Sequence, residues 1–298
     1  MSMKDLFNSV KREGYVVKPL DYYLESKANG TDNDRAPDVN APSAAGRCIR
    51  ANYYARTGEY TDGSINAKTQ RIFDNGTHVH LRLQKYLSDM GILICDEVPV
   101  INEEYNIQGH TDGLLQLSPN EVGILEIKSI NDGQFTKLRD AKPEHKCQGL
   151  VYLFCTEERR KALRGKYDSL NDYYADCEGR EKYFSQFYQH FEDGSKFSRE
   201  EKIKMQVELN MVCDDILLTT SKPVTKVIFL YENKNNQELK EFCVTTEDSK
   251  SRDILDSVLG GYTKLNECVE KGTVPERQST RNSEQCKWCD YFNTCWVV

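Results

Sequence analysis

Residues 106–130 read NIQGHTDGLLQLSPNEVGILEIKSI. Two apolar runs, 106–117 and 121–130, flank Ser118-Pro119-Asn120, whose composition marks a turn. The stretch therefore predicts an antiparallel hairpin. Alternate side chains of a strand share a face, so Glu126 and Lys128 point to one side while Leu125 and Ile127 point to the other. With the turn near 118–121, Asp112 falls opposite residues 126–128. Two carboxylates and one ammonium converge on one patch.

Carboxylates held close repel unless positive charge lies between them. A hard divalent cation suits this need, since Mg²⁺ takes one or two carboxylates plus waters and phosphate oxygens. Such an ion acidifies water and neutralises charge on phosphorus, and an adjacent lysine can orient or deprotonate that water. The expected chemistry is phosphodiester hydrolysis. The same E-x-K on an exposed strand would be a solvated face with a cross-strand ion pair. The apolar flanks of Glu126-Ile127-Lys128 speak for a buried setting.

Outward from the hairpin, residues 92–101 predict another strand. Residues 67–90 carry Ile72, Val79, Leu83 and Leu87 at near-helical spacing, with Gly76 in the middle. Residues 47–58 predict a short helix ended by Gly58, preceded by a loop at 28–46. Residues 143–159 predict a helix with Pro143 in its first turn. Strands are expected at 224–231 and 239–245, and a last helix at 248–271. The fold class is α/β, a mixed central sheet flanked by helices. The expected organisation is a single domain over 1–298: an N-terminal segment 1–66, a core of 67–159 and 223–272, a helical insertion at 160–222, and a cysteine segment at 273–298.

The 298 residues are 38% hydrophobic and 29% charged, ordinary for a globular protein. No run reaches the roughly 18 apolar residues of a membrane span. The first residues are charged and show no secretion signal, so the expected compartment is the cytoplasm, with no membrane partner. A net charge of −7 argues against a protein that coats nucleic acid, but leaves room for a local basic groove. Eleven cysteines without a secretion signal argue against a disulfide framework. Three of them, Cys286, Cys289 and Cys295, form C-x2-C-x5-C and need a fourth ligand to close a metal site.

The ordered pieces are Gly76-x-x-x-His80, Glu97 in Glu-Val-Pro-Val, Gly109-His-x-Asp112, Glu126-x-Lys128 and His145-x-x-Gln148-x-x-x-Tyr152. Over about residues 46–155 this order resembles the PD-(D/E)XK nuclease superfamily, in particular its RecB-like exonuclease branch, and implies that family's restriction-endonuclease-like core. The resemblance implies a metal-dependent DNA nuclease, with His80, Asp112 and Glu126 as metal ligands together with the Ile127 carbonyl. Lys128 would be the catalytic lysine, Glu97 an accessory carboxylate, and Gln148 and Tyr152 would position the strand from one helix face. An imidazole ligand would favour Mn²⁺ beside Mg²⁺. Nucleases of the AddB and CRISPR-associated Cas-four type add one cysteine before the core and three after it, holding a [4Fe–4S] cluster. Here these would be Cys48, Cys286, Cys289 and Cys295, with a structural Zn²⁺ site as the alternative for the same thiolates.

Candidate phosphate contacts are Arg47, Arg50 and Arg56, then Lys137, Arg139, Lys142 and Lys146; Tyr53, Tyr54 and Phe135 are candidates for stacking on bases. The resemblance further implies exonuclease action on single strands or DNA ends in recombination, repair or end processing, in a bacterial or phage setting. It also implies a recombination, replication or CRISPR-adaptation protein as partner. A non-catalytic DNA-binding subunit and a structure- or sequence-specific endonuclease are the rivals.

Overall fold

Five apolar segments build one sheet. A computed structural model describes residues 15–28, 38–59, 65–176 and 211–296. Its strands are β1 (Leu93–Asn102), β2 (Ile107–Ser118), β3 (Glu121–Ile130), β4 (Lys226–Asn233) and β5 (Leu239–Thr245), hydrogen-bonded in that order. The β3–β4 pair is parallel and the other three are antiparallel. The described helices are α1 (Val17–Ala28), α2 (Ile49–Thr57), α3 (Ala67–Asp89), α4 (Asp132–Phe135), α5 (Pro143–Lys166), α6 (Leu170–Asp176), α7 (Ser249–Glu270), α8 (Glu284–Lys287) and α9 (Phe292–Trp296), with a further helical stretch at 211–219. The protein is a mixed α/β fold with a five-stranded mixed sheet flanked by helices.

The central strand is β3, and residues 122–127 on it are buried without interruption. Such a run is expected of a strand covered on both faces. The parallel neighbour requires a crossover, which includes α4 and α5. In the parallel register Glu126 pairs with Phe229 and Lys128 with Tyr231, so these four side chains share a face. The helix α5 packs on that face. A Cβ on Gly149 would stand 2.6 Å from Phe229 Cζ and 2.9 Å from Val227 Cγ1, so the missing side chain sets the close approach.

The sheet and its helices belong to a compact unit made of residues 39–47 and 83–267. A second compact unit gathers residues from 1–38, 48–82 and 268–298. Both ends of the expected insertion are helical, but 177–210 lie outside the described residues. Helix α1 was not expected from the sequence. No described helix is long and apolar enough to cross a membrane.

Candidate active site

The hairpin opens where the chemistry-bearing residues lie. Paired residues of β2 and β3 run from Ser118↔Glu121 to Gly113↔Leu125. One residue further, the Ile127 N–H donates to Asp112 Oδ2 at 2.5 Å. A carboxylate thus takes a donor that a ladder would give to a backbone carbonyl. On its other side β2 stays paired with β1, through Asp96↔Gly113 and Val98↔Thr111. Between those pairs Glu97 stands across from Asp112 with φ of 45°, a left-handed conformation in mid-strand. Such a conformation costs about 1–3 kcal/mol in a non-glycine residue and tends to cluster at functional sites.

Glu126 is buried at 3% exposure, and Lys128 Nζ lies 2.6 Å from its Oε1. The ammonium also donates to Gln148 Oε1 at 2.9 Å. Gln148 Nε2 donates in turn to the Tyr152 hydroxyl at 2.9 Å. Gln148 and Tyr152 lie four apart on α5 and share its buried face. A buried ion pair persists only with supporting hydrogen bonds, and this chain supplies them. Burial pushes the Tyr152 phenol well up, with the Glu126 charge adding to it. Burial also raises the Glu97 carboxyl, and the Asp112 charge raises it further. Gly109, on the same strand as Asp112, has Pro42 Cδ at 2.8 Å from where a Cβ would sit, which explains a glycine there.

Two residues beside this network were not singled out from the sequence. Gln84 on α3 is buried and its Nε2 donates to the Asp112 carbonyl at 2.9 Å and to Glu97 Oε1 at 3.3 Å. A polar residue amid the buried face Val79–Leu83 was its only signal. Tyr231 on β4, paired in register with Lys128, places its hydroxyl 2.7 Å from His145 Nδ1 and accepts the Lys142 N–H at 3.1 Å. Lys142 and Tyr231 are far apart in sequence, so nothing local joins them. His145, the first residue of the His-x-x-Gln-x-x-x-Tyr motif, is half-buried on α5. Burial, helped by the charges of Lys128 and Lys142, lowers its imidazole to about 3.

Of the expected DNA contacts, Arg47, Lys137 and Arg139 are exposed. Lys142 donates through Nζ to Gln134 and Lys146 pairs with Asp140. Arg50 is committed to Tyr54 and to the Pro275 carbonyl, and Arg56 to Asp38. The stacking role expected of Tyr53, Tyr54 and Phe135 fails, because all three rings are buried at 6%, 4% and 2% exposure. Their neighbours bury them: Tyr54 lies against Tyr291, and Phe135 lies under the Lys240 ammonium. His80 is half-buried on α3, in the compact unit that does not contain the sheet.

That unit holds all four expected cluster cysteines. Cys48 is the N-cap of α2. The C-terminal segment is held to α2 by Ile49 N–H donating to Gln278 Oε1 at 2.8 Å, by Arg50 on Pro275, and by the Tyr54–Tyr291 ring contact. Burial raises the Cys289 thiol, and the nearby sulfurs of Cys48 and Cys286 raise it further.

Among the described residues no three His, Cys, Asp or Glu side chains stand in metal-holding geometry. The donor chemistry fits the two expected groups even so. Asp112 and Glu126 supply hard oxygens in the number Mg²⁺ takes, and the neighbouring thiols supply soft donors.

No family model and no curated protein matches the chain. Among solved structures, it is similar to SSO0001, with 15% identity, a TM-score of 0.45, and coverage of 93% of this chain and 95% of that one. It is also similar to an alkaline exonuclease, LHK-Exo, from Laribacter hongkongensis, with 13% identity, a TM-score of 0.41, and coverage of 84% and 95%.

Proposed function

We propose that this chain is a metal-dependent DNA nuclease that hydrolyses phosphodiester bonds, acting as an exonuclease on single strands or DNA ends in recombination, repair or end processing. One observation carries the reading. Where β2 and β3 part, Asp112 accepts the Ile127 N–H, and next to it the Lys128 ammonium is held between Glu126 and Gln148. A structural ion pair needs no second carboxylate beside it and no strained Glu97 across from it.

Asp112 and Glu126, with the Ile127 carbonyl, would hold Mg²⁺ or Mn²⁺. The cation supplies positive charge for the phosphate and eases ionisation of water. Lys128, steered by Gln148, orients the attacking water and offsets negative charge growing on the phosphoryl oxygens. Tyr152 keeps its proton, given its burial, and so fixes the direction of the Gln148 amide. Lys137 and Arg139, exposed just after β3, would take backbone phosphates without reading sequence.

The test uses the full chain with labelled single- and double-stranded DNA and either Mg²⁺ or Mn²⁺. Lys128→Ala should lower the cleavage rate about 10²–10³-fold. Wild type that binds DNA but leaves it intact under both metals would make the chain a non-catalytic subunit. Cutting of closed circular DNA would make it an endonuclease.

A further inference from the structure

Gln84 is 4% exposed, and its amide nitrogen reaches two acceptors on adjacent strands. It donates to the Asp112 carbonyl on β2 and to the Glu97 carboxylate on β1. The pairs Asp96↔Gly113 and Val98↔Thr111 bracket that spot, where Glu97 turns left-handed. A neutral double donor suits this position. It satisfies a carbonyl and a carboxylate together without adding a charge between Glu97 and Asp112. The amide bridges the two strands at the point in their ladder where Glu97 leaves the extended conformation.

We infer that Gln84 is a positioning residue: its amide sets the separation and direction of Glu97 and Asp112, and through them the affinity of the site for a divalent cation. The inference rests on the nuclease reading for the purpose of the cation, not for its binding. Residues that hydrogen-bond the groups around a metal commonly set its affinity by 10–100-fold. Gln84→Met keeps the volume and removes both hydrogen bonds. Gln84→Asn keeps an amide but draws it back by one methylene.

The experiment titrates Mn²⁺ into the full chain by calorimetry, with the site assigned by its loss in Asp112→Asn. In Gln84→Met the Mn²⁺ dissociation constant should rise about 10-fold or more. The Mn²⁺ concentration for half-maximal DNA cleavage should rise in parallel, while the rate at saturating Mn²⁺ changes little. A residue with only a packing role would lower the melting temperature and leave Mn²⁺ affinity alone. A folded Gln84→Met protein with wild-type Mn²⁺ affinity therefore overturns the inference. If Gln84→Met does not fold, Gln84→Asn decides in the same way. Wild type that binds Mn²⁺ at Asp112 yet leaves DNA intact removes the nuclease reading alone; wild type that binds no Mn²⁺ removes both.

Discussion

His145 is a histidine kept neutral by its surroundings. The Tyr231 hydroxyl accepts the Lys142 N–H, so its own proton is directed to His145 Nδ1, and the ring hydrogen is assigned to Nε2. With the imidazole lowered to about 3 in the folded chain and near 6.5 when unfolded, the unfolded state binds the extra proton first as pH falls. The stability this residue contributes is complete above about pH 6.5 and is lost progressively down to about pH 3. His145→Gln should flatten the dependence of urea midpoints on pH between 7 and 4. Parallel slopes for variant and wild type would dismiss the neutral pair. Asp112, Glu126 and Lys128 were legible because a period of two and one turn suffice to bring them together. Gln84 and Tyr231 were not, because their partners arrive from elements remote in sequence and only packing reveals them.

Among the elements, α5 does most to place the site. It carries His145, Gln148 and Tyr152, and Gly149 lets it lie close against β4. A methyl at that position would meet Phe229 and Val227, both fully buried and unable to withdraw. Gly149→Ala should therefore destabilise by about 1–3 kcal/mol, as overpacking does. It should also lower the cleavage rate, since Gln148 is the adjacent residue. Thermal melting and initial rates measure the two effects; a variant as stable and as active as wild type would mean that the helix can shift without cost. The sequence reading ended this helix at 159, where the apolar face runs out, but the helix continues to Lys166. Ion pairs three apart, Glu157–Arg160 and Glu158–Lys161, carry it onward without an apolar stripe. Helix α1 escaped for a related reason: only Leu24 is buried along it, so periodicity had little to report.

At the scale of the whole molecule, the unit with the cysteines is assembled from chain segments that stand far apart in sequence. Within it the segment after Cys268 meets α2 through two hydrogen bonds and a ring contact, each worth about 1 kcal/mol. A cluster ligated by Cys48, Cys286, Cys289 and Cys295 would contribute directly to folding, because metal ligation does so. The spacing C-x2-C-x5-C was legible in the sequence; the identity of the fourth ligand was not derivable from spacing. The anaerobically purified chain should be brown and contain iron. Cys289→Ala should lose the iron, expose the segment after Cys268 to limited proteolysis, and yield insoluble protein or protein that no longer binds DNA. A colourless wild type with zinc and no iron would replace the cluster by a zinc site. A soluble, fully active Cys289→Ala chain would show that these cysteines are not a staple.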